Sequence, residues 1–329
     1  LTPIREMSSA IAERPVHLFP PRPAIRWTYR PSPDGSKSGK ASNPPKGVIL
    51  TYHLAAKPDE EITLEVSDNS GKVIRTLSSE AEPPYLPAGH PDANPDEEHE
   101  ADLEAVEGLN RASWDLAFEG AMRIPGSTND AGNMNIAPMV MPGNYRLRLT
   151  VAGESVEQPL TVLPDPRSDA TIDDLKAQIE FLIGIRDRIS SIASDAEYLR
   201  GLREQLEARH NALSEEPRAA ELIALGEGAL ETIVAIEKLL YNPDAKVNYD
   251  ILAGRDGGAK LYSRYGWLYR TALDHSGPPT QGMREVSDEL SALYQQSQDQ
   301  LGRLRDEDLK RLNDRANGLG ITYLAVEAQ

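Results

Sequence analysis

The sequence predicts a multidomain β-then-α protein, in which an antiparallel Ig-like β-sandwich precedes an antiparallel, up-down helical bundle. Two changes of pattern carry this prediction. Apolar residues alternate with a period of two as far as Pro164, and beyond Ser168 they recur at the spacing of an α-helix. A proline-rich stretch precedes both patterns. These boundaries divide the 329-residue chain into residues 1–46, 47–166 and 167–329.

Residues 1–46 are predicted to form a basic, extended tether. Repeated prolines fix φ and remove backbone donors, and the stretch carries a net charge of +5. Within it, Trp27 and Tyr29 alternate with polar neighbours, which makes them candidates for docking the tether on a partner. The alternative is that both rings pack against the next domain of the same chain.

Residues 47–166 show the alternation of strands that bury one face. The segment SDNSGK supplies the Asp, Asn and Gly that a hairpin turn needs between the second and third strands. Several short strands without helices between them are typical of a small β-sandwich. The predicted inward-facing residues are Val48, Leu50, Tyr52, Leu54, Ile62, Leu64, Val66, Val73, Leu77, Ala112, Trp114, Leu116, Tyr145, Leu147, Leu149 and Val151.

An acidic stretch, residues 80–107, interrupts the strand pattern. It has a net charge of −10, contains no Lys or Arg and is rich in Pro and Ala. We therefore predict a solvated, disordered loop. A calcium site is the alternative, but the order of the acids does not follow the spacing of a calcium-binding loop.

Residues 167–329 are predicted to form four helices. The first has an apolar stripe from Leu175 to Leu206, and Thr171 is its predicted N-cap. Because proline cannot continue a helix, the second ends at Asn242-Pro243 and the third stops before the SGPP segment. The fourth begins after Thr280 and continues, with a break near Asp306, to Gly318.

The third helix contains four aromatic residues, Tyr262, Tyr265, Trp267 and Tyr269. The three tyrosines fall on one side of the helix, at spacings of three and four. Such a stripe is typical of a bundle core. The alternative is a binding or docking surface on which a sugar ring would stack.

Composition excludes several classes of chemistry. An excess of seventeen acids argues against nucleic acid as a partner, because Lys and Arg supply most of the affinity for phosphates. The absence of cysteine removes thiolate nucleophiles, disulfides and Cys-ligated metals, and the six histidines lack the spacing of a zinc site. No apolar run is long enough to span a membrane. We therefore expect no catalytic residue, cofactor or metal ligand here.

The order of five segments resembles a known family. The segments NPPKGVILTYHL, ITLEVSDNSGKVIRTL, GLNRASWDL, PGNYRLRLTV and QPLTVLPDPR are similar to the C-terminal region of bacterial sortilin-like, BNR-repeat β-propeller proteins, often labelled glycosyl hydrolase or sialidase-like. The strand pair around Trp114 and Tyr145 also resembles the Ig-like module of flagellar-hook capping proteins. No Asp-box occurs, so the resemblance assigns no catalytic residue. It implies a secreted or periplasmic bacterial protein.

The absence of a catalytic motif predicts a non-catalytic accessory region, and the resemblance implies that it lies at the C-terminus of a large secreted β-propeller protein. The first residue, Leu1, is not Met, so we expect a piece of a longer chain. The expected partners are the upstream propeller in cis, a carbohydrate or an envelope protein, and a second copy bound through the helical bundle. One alternative is a carbohydrate-binding module. Another is part of a glycoside hydrolase whose active site lies in the propeller.

Overall fold

A computed structural model describes residues 2–27, 46–82, 86, 89–91, 101–132, 134–275 and 277–321. The chain divides into two compact units. The sheet unit comprises the described residues within 1–84, 95–120 and 137–180, and the helical unit comprises those within 85–94, 121–136 and 181–329. Sheets therefore come first and helices follow, as the sequence predicts.

The described residues contain eight strands in two sheets. One sheet has the order β1-β3-β6 with antiparallel pairs, and the other has the order β2-β8-β7-β4-β5, in which only β2 and β8 are parallel. The strands are β1 (Val16–Leu18), β2 (Ala24–Arg26), β3 (Val48–Leu54), β4 (Thr63–Ser67), β5 (Val73–Ser78), β6 (Gly108–Trp114), β7 (Gly143–Val151) and β8 (Glu154–Pro164).

The N-terminal stretch differs from the predicted tether. Two short helices, α1 (Thr2–Glu6) and α2 (Ser9–Ala12), are followed by β1 and β2, which pair with β3 and β8. The side chains of Leu18 and Phe19 are almost fully buried. Because burial of these apolar groups holds the segment on the sheets, residues 16–26 belong to the sheet unit. Residues 28–45 lie outside the described residues.

The predicted alternation of the strands is confirmed with one exception. The inward-facing side chains meet in one apolar core, to which both sheets contribute. Val73 is instead 44% exposed and Ile74 is buried. A register shift opposite Val66 and Ser67 adds a residue at the start of β5 and so reverses which side chain points inward.

The hairpin predicted at SDNSGK joins β4 to β5. The Asp68 Oδ1 atom accepts hydrogen bonds from the backbone N–H groups of Ser70, at 2.8 Å, and Lys72, at 3.1 Å. Gly71 has a φ of +86°, in the left-handed region that glycine adopts without strain.

Part of the acidic stretch is ordered, which corrects the prediction of a disordered loop for residues 101–107. The Leu103 side chain is buried, and its backbone N–H donates to the Ser78 carbonyl at 2.9 Å. The Tyr52 hydroxyl donates to the Glu104 carbonyl. Most of the remainder, at 83–85, 87–88 and 92–100, lies outside the described residues.

The segment between β6 and β7 also departs from the predicted domain boundaries. After Gly120 the chain enters the helical unit and returns at Ala137. Its apolar residues Ile124 and Met134 are part of the helical core. A Cβ atom on Gly266 would lie 2.0 Å from the Met134 Cε atom, so a glycine is needed for this close approach.

Helices occupy most of the chain beyond Thr171. The predicted stripe of the first helix is buried, and Thr171 caps it, because its Oγ1 accepts from the Asp174 N–H at 3.1 Å. The predicted break near Asp306 is a π-helical turn, Leu304–Leu309. The helices are α3 (Ile172–Leu213), α4 (Ala220–Leu240), α5 (Asn248–Leu252), α6 (Leu261–Asp274), α7 (Gln281–Arg303) and α8 (Lys310–Gly318).

Candidate functional site

The outer face of the three-stranded sheet carries an apolar surface that the sheet core does not use. Alternate residues of β3 and β6 point away from the core, so Ile49 and Thr51 lie beside Leu109 and Arg111 on this face. The side chain of Leu109 is 44% exposed and that of Ile49 is 37% exposed. Two adjacent strands thus place branched apolar side chains at the surface.

A proline-rich wall turns this face into a groove. Residues 19–24, together with Pro3 and Ile4 of α1, border a cavity of 510 Å³ above the outward-facing residues. Proline fixes φ and lacks an N–H, so this wall is stiff and poor in hydrogen-bond donors. We call this cavity the sheet groove. It is lined by Pro3, Ile4, Phe19, Pro20, Pro21, Arg22, Pro23, Ala24, Gly47, Val48, Ile49, Thr51, Leu109 and Arg111.

The charged residues of the sheet groove are all of one sign. Arg22 and Arg111 line it, and no Asp or Glu is among its lining residues. The chain as a whole has a net charge of −17. A basic, apolar groove in an acidic chain favours a ligand that combines apolar groups with negative charge.

Local interactions hold β6 in place beneath the groove. At its start, the buried Asn110 side chain accepts from the Val106 N–H at 3.1 Å and donates to the Val106 carbonyl at 2.7 Å. At its end, the indole N–H of Trp114 donates to the Ala117 carbonyl at 2.8 Å. The sequence GLNRASW therefore fixes the strand through its inward-facing residues and leaves Leu109 and Arg111 for the outer face.

The strand β6 is also the edge of its sheet. On β3, the Thr51 carbonyl accepts from Phe19 N–H on the β1 side, so the neighbouring residues Leu50 and Tyr52 direct their backbone groups to β6. Hydrogen bonding alternates along an antiparallel strand. The N–H and C=O groups of Leu109, Arg111 and Ser113 therefore point to the outer edge, where no described strand pairs with them.

The aromatic candidates from the sequence do not form one surface. Tyr262, Tyr265 and Tyr269 are buried in the helical core, as the core interpretation of their spacing predicts. Trp267, on the opposite side of α6, is 43% exposed. Trp27 is half-buried with the Arg167 guanidinium 5.8 Å from its ring, and Tyr29 lies outside the described residues.

Two polar clusters cross-link helices within the helical unit. The Glu237 carboxylate binds the Arg203 guanidinium at 2.6 Å, and burial raises the pKa of Glu237. The Asp195 carboxylate accepts from the Tyr294 hydroxyl at 2.7 Å and from Gln298 at 2.6 Å. Burial also raises the pKa of Asp195. Both carboxylates join α3 to another helix, which is a structural role.

A second, larger concavity of 890 Å³ lies on the outer face of the five-stranded sheet. Its charges are paired with one another across the strands. The Arg148 guanidinium binds Glu157 at 2.9 Å and Glu65 at 3.8 Å, and Arg146 binds Glu157 at 3.4 Å. The sheet groove exposes apolar side chains and has no acidic lining residue, so it is the stronger candidate for binding.

Two of the described histidines lie close together. His17 and His53 face each other across β1 and β3, and burial lowers the pKa of His17. Among the described residues, no group of three or more His, Asp or Glu side chains is placed to hold a metal ion. None of the described helices is both long and apolar enough to cross a bilayer.

The sheet groove was not predicted from the sequence. Its floor residues, Ile49, Thr51, Leu109 and Arg111, fall on the face that the alternation assigns to solvent. The run Val48-Ile49-Leu50 was the available signal, because apolar residues on both faces of a strand indicate that both faces are covered or bind something. The proline-rich wall is distant in sequence, so no local pattern connects it to this floor.

Comparisons with known proteins identify no family for this chain. No family model and no curated protein matches the chain. Among solved structures, a chain described as pT26-6p is 11% identical, with a TM-score of 0.16. The alignment covers 82% of this chain and 46% of that chain, so this chain spans less than half the length of that protein. A similarity this weak carries no argument about fold or function.

Proposed function

We propose that the chain is a non-catalytic interaction region whose sheet groove binds a segment of a partner protein. The sheet groove carries the proposal, because it combines exposed apolar side chains, two arginines and a stiff proline-rich wall around 510 Å³. Exposed apolar patches rimmed by polar residues are typical of protein-binding sites, and arginine is enriched in protein interfaces.

The finer fold we propose for the sheet unit is the Ig-like sandwich. The order β8-β7-β4-β5 corresponds to the larger sheet of a variable-type Ig domain, and β1-β3-β6 corresponds to the opposite one. The Tyr145 hydroxyl, at the start of β7, donates to the Met141 carbonyl at 2.7 Å. This local bond has the form of the tyrosine corner of Ig-like domains. The helices beyond it are proposed to form the up-down bundle.

The proposed context is the C-terminal region of a secreted, sortilin-like β-propeller protein. It is supported by the order of five sequence segments alone. In that context the sheet groove would hold a segment of the upstream propeller or of an envelope protein, and any glycoside hydrolysis would take place in the propeller. Self-association through the helical unit is a separate proposal, which sedimentation of the chain over a range of concentrations would test.

A peptide library tests the proposed function. Panning random nine-residue peptides on the intact chain is expected to enrich sequences that combine apolar and acidic residues. Their affinity should fall about tenfold or more for Leu109→Glu, which removes an exposed apolar contact and adds a negative charge that repels the acidic residues of the peptide. The matched control is Val73→Glu, because Val73 is equally exposed, at 44%, on the other sheet.

Two results would contradict this function. One is the absence of any enriched peptide. The other is a set of enriched peptides that bind Leu109→Glu as tightly as the parent chain. Since Leu109 is already 44% exposed, the fold is expected to tolerate this substitution, and circular dichroism checks it.

A carbohydrate-binding module is the second candidate function, and the exposed Trp267 supports it. An indole ring that is 43% exposed offers a flat surface for a sugar. If glycans bind at this position, Trp267→Ala should remove millimolar or tighter binding on a glycan panel and leave the helical signal unchanged. If no glycan binds, or if binding survives the substitution, this second function is wrong.

A further inference from the structure

We propose that the sheet groove takes its ligand as an added β-strand: an extended peptide with alternating apolar and acidic side chains that pairs antiparallel with the outer edge of β6. This inference deepens the proposed function and rests on it. It specifies how the ligand is held, which of its residues face the sheet groove, and which backbone atoms of this chain bind it.

The backbone of β6 supplies the first argument. The strand is seven residues long, and three consecutive outward-facing residues, Leu109, Arg111 and Ser113, direct N–H and C=O groups to the edge. An edge of this length offers up to six hydrogen bonds, about the number that an added strand uses. An exposed edge strand is a ready template for another chain.

The side chains of the same residues supply the second argument. In an antiparallel pair, residues directly opposite each other have their side chains on the same face. A ligand residue opposite Arg111 therefore lies on the groove side and is expected to be acidic. Ligand residues opposite Leu109 and Ser113 lie on the same face of the sheet, where the Leu109 side chain is exposed, and are expected to be apolar.

Charge also argues against a second copy of this chain as the ligand. In the symmetric antiparallel register centred on β6, Arg111 of one copy would lie opposite Arg111 of the other. Like charges directly opposite each other destabilise a strand pair. An acidic peptide removes this repulsion and complements Arg111, so the proposed ligand is a segment of a partner protein.

The probe is acetyl-TVTETLT-amide, whose second, fourth and sixth residues are designed to face the sheet groove. In the predicted register these residues lie opposite Ser113, Arg111 and Leu109. Their N–H groups point at β6, whereas those of the third and fifth residues point away. Methylating the three facing nitrogens is expected to weaken binding to the intact chain at least about tenfold. Methylating the third and fifth nitrogens should change it less than about threefold.

Two substitutions in the protein complete the test. Ser113→Pro removes an N–H that points to the edge and not to β3, so the fold is expected to survive while the probe binds more weakly. Arg111→Glu should weaken binding of the probe, and a probe with lysine in place of its central glutamate should restore it. The two methylated probes leave the protein unchanged and so do not depend on whether either variant folds.

The outcomes separate this inference from the function on which it rests. If library peptides require Leu109 but both methylated probes bind equally, the groove binds a partner and strand addition is wrong. If the unmethylated probe fails to bind, the ligand chemistry stated here is wrong. If the chain alone forms a dimer that Ser113→Pro abolishes, the ligand is a second copy and the proposal is overturned.

Discussion

Arg203→Met is expected to destabilise the helical unit by about 3–5 kcal/mol at neutral pH. The Arg203 guanidinium lies 2.6 Å from a Glu237 carboxylate whose side chain is 1% exposed. Removing the arginine leaves the buried carboxylate without its ion-pair partner, although the Tyr241 hydroxyl still donates to it at 3.3 Å and Arg200 still lowers its pKa. Urea unfolding followed by circular dichroism at 222 nm measures the loss.

The pH dependence of this loss identifies its cause. Burial raises the pKa of Glu237 above its ordinary value of 4.5, and Arg203 opposes this rise. The folded state therefore keeps a proton at pH values where the unfolded chain has released it, so this group's contribution to stability falls as pH rises through that window. Without Arg203, the pKa of Glu237 rises further. The destabilisation by Arg203→Met should accordingly be smaller at pH 5 than at pH 7.

Two controls separate burial from the loss of an ion pair. Arg264 binds Glu289 at 2.7 Å, but the glutamate side chain is 62% exposed, so Arg264→Met should cost less than about 1 kcal/mol. Adding Glu237→Gln to Arg203→Met removes the buried charge and should restore part of the stability. If the double variant is no more stable than the single one at pH 7, the unpaired carboxylate is not the cause.

Gly47→Ala is expected to destabilise the sheet unit by about 3 kcal/mol or more. Gly47 has a φ of +86°, and a Cβ atom there would lie 2.0 Å from the Trp114 carbonyl oxygen and 2.7 Å from the Asp115 Cα. Both are backbone atoms, so rotation of a side chain cannot relieve the overlap. To relieve the overlap, the start of β3 would have to move away from the end of β6.

Gly71→Ala is the matched control for this substitution. Gly71 has the same φ of +86°, but no atom would lie within 4 Å of its Cβ. Gly71→Ala should therefore lower the free energy of unfolding only by the strain of the left-handed conformation, about 1–2 kcal/mol. Urea unfolding followed by tryptophan fluorescence compares the two variants. Equal costs would show that the close approach to Trp114 does not limit the packing of β6.

The sequence predicted those elements that depend on neighbours along the chain. The alternation of Leu64 and Val66, the hairpin at Gly71 and the N-cap at Thr171 all follow from short-range patterns, and the structure confirms each. The end of α4 before Pro243 and the start of α7 after Thr280 were predicted for the same reason. The spacing of Tyr262, Tyr265 and Tyr269 correctly favoured the core.

The predictions that failed concern contacts between distant parts of the chain. The strand β2 pairs with β8, about 140 residues later in the chain. The prolines near β2 favoured a tether, because proline restricts the local backbone and does not indicate pairing with a distant strand. The segment 121–136 joins the helical core because Met134 packs against Gly266. An isolated glycine in a helical pattern does not indicate which distant residue packs against it.

Periodicity along the chain therefore determined which faces of the strands and helices are buried, because burial of apolar side chains repeats with the geometry of each element. The sheet groove was decided only in three dimensions. Its floor comes from β3 and β6 and its wall from residues 19–24, so strand pairing and long-range packing had to bring them together. The same pairing made β6 an edge strand, which depends on which strands lie beside it and not on the alternation within it.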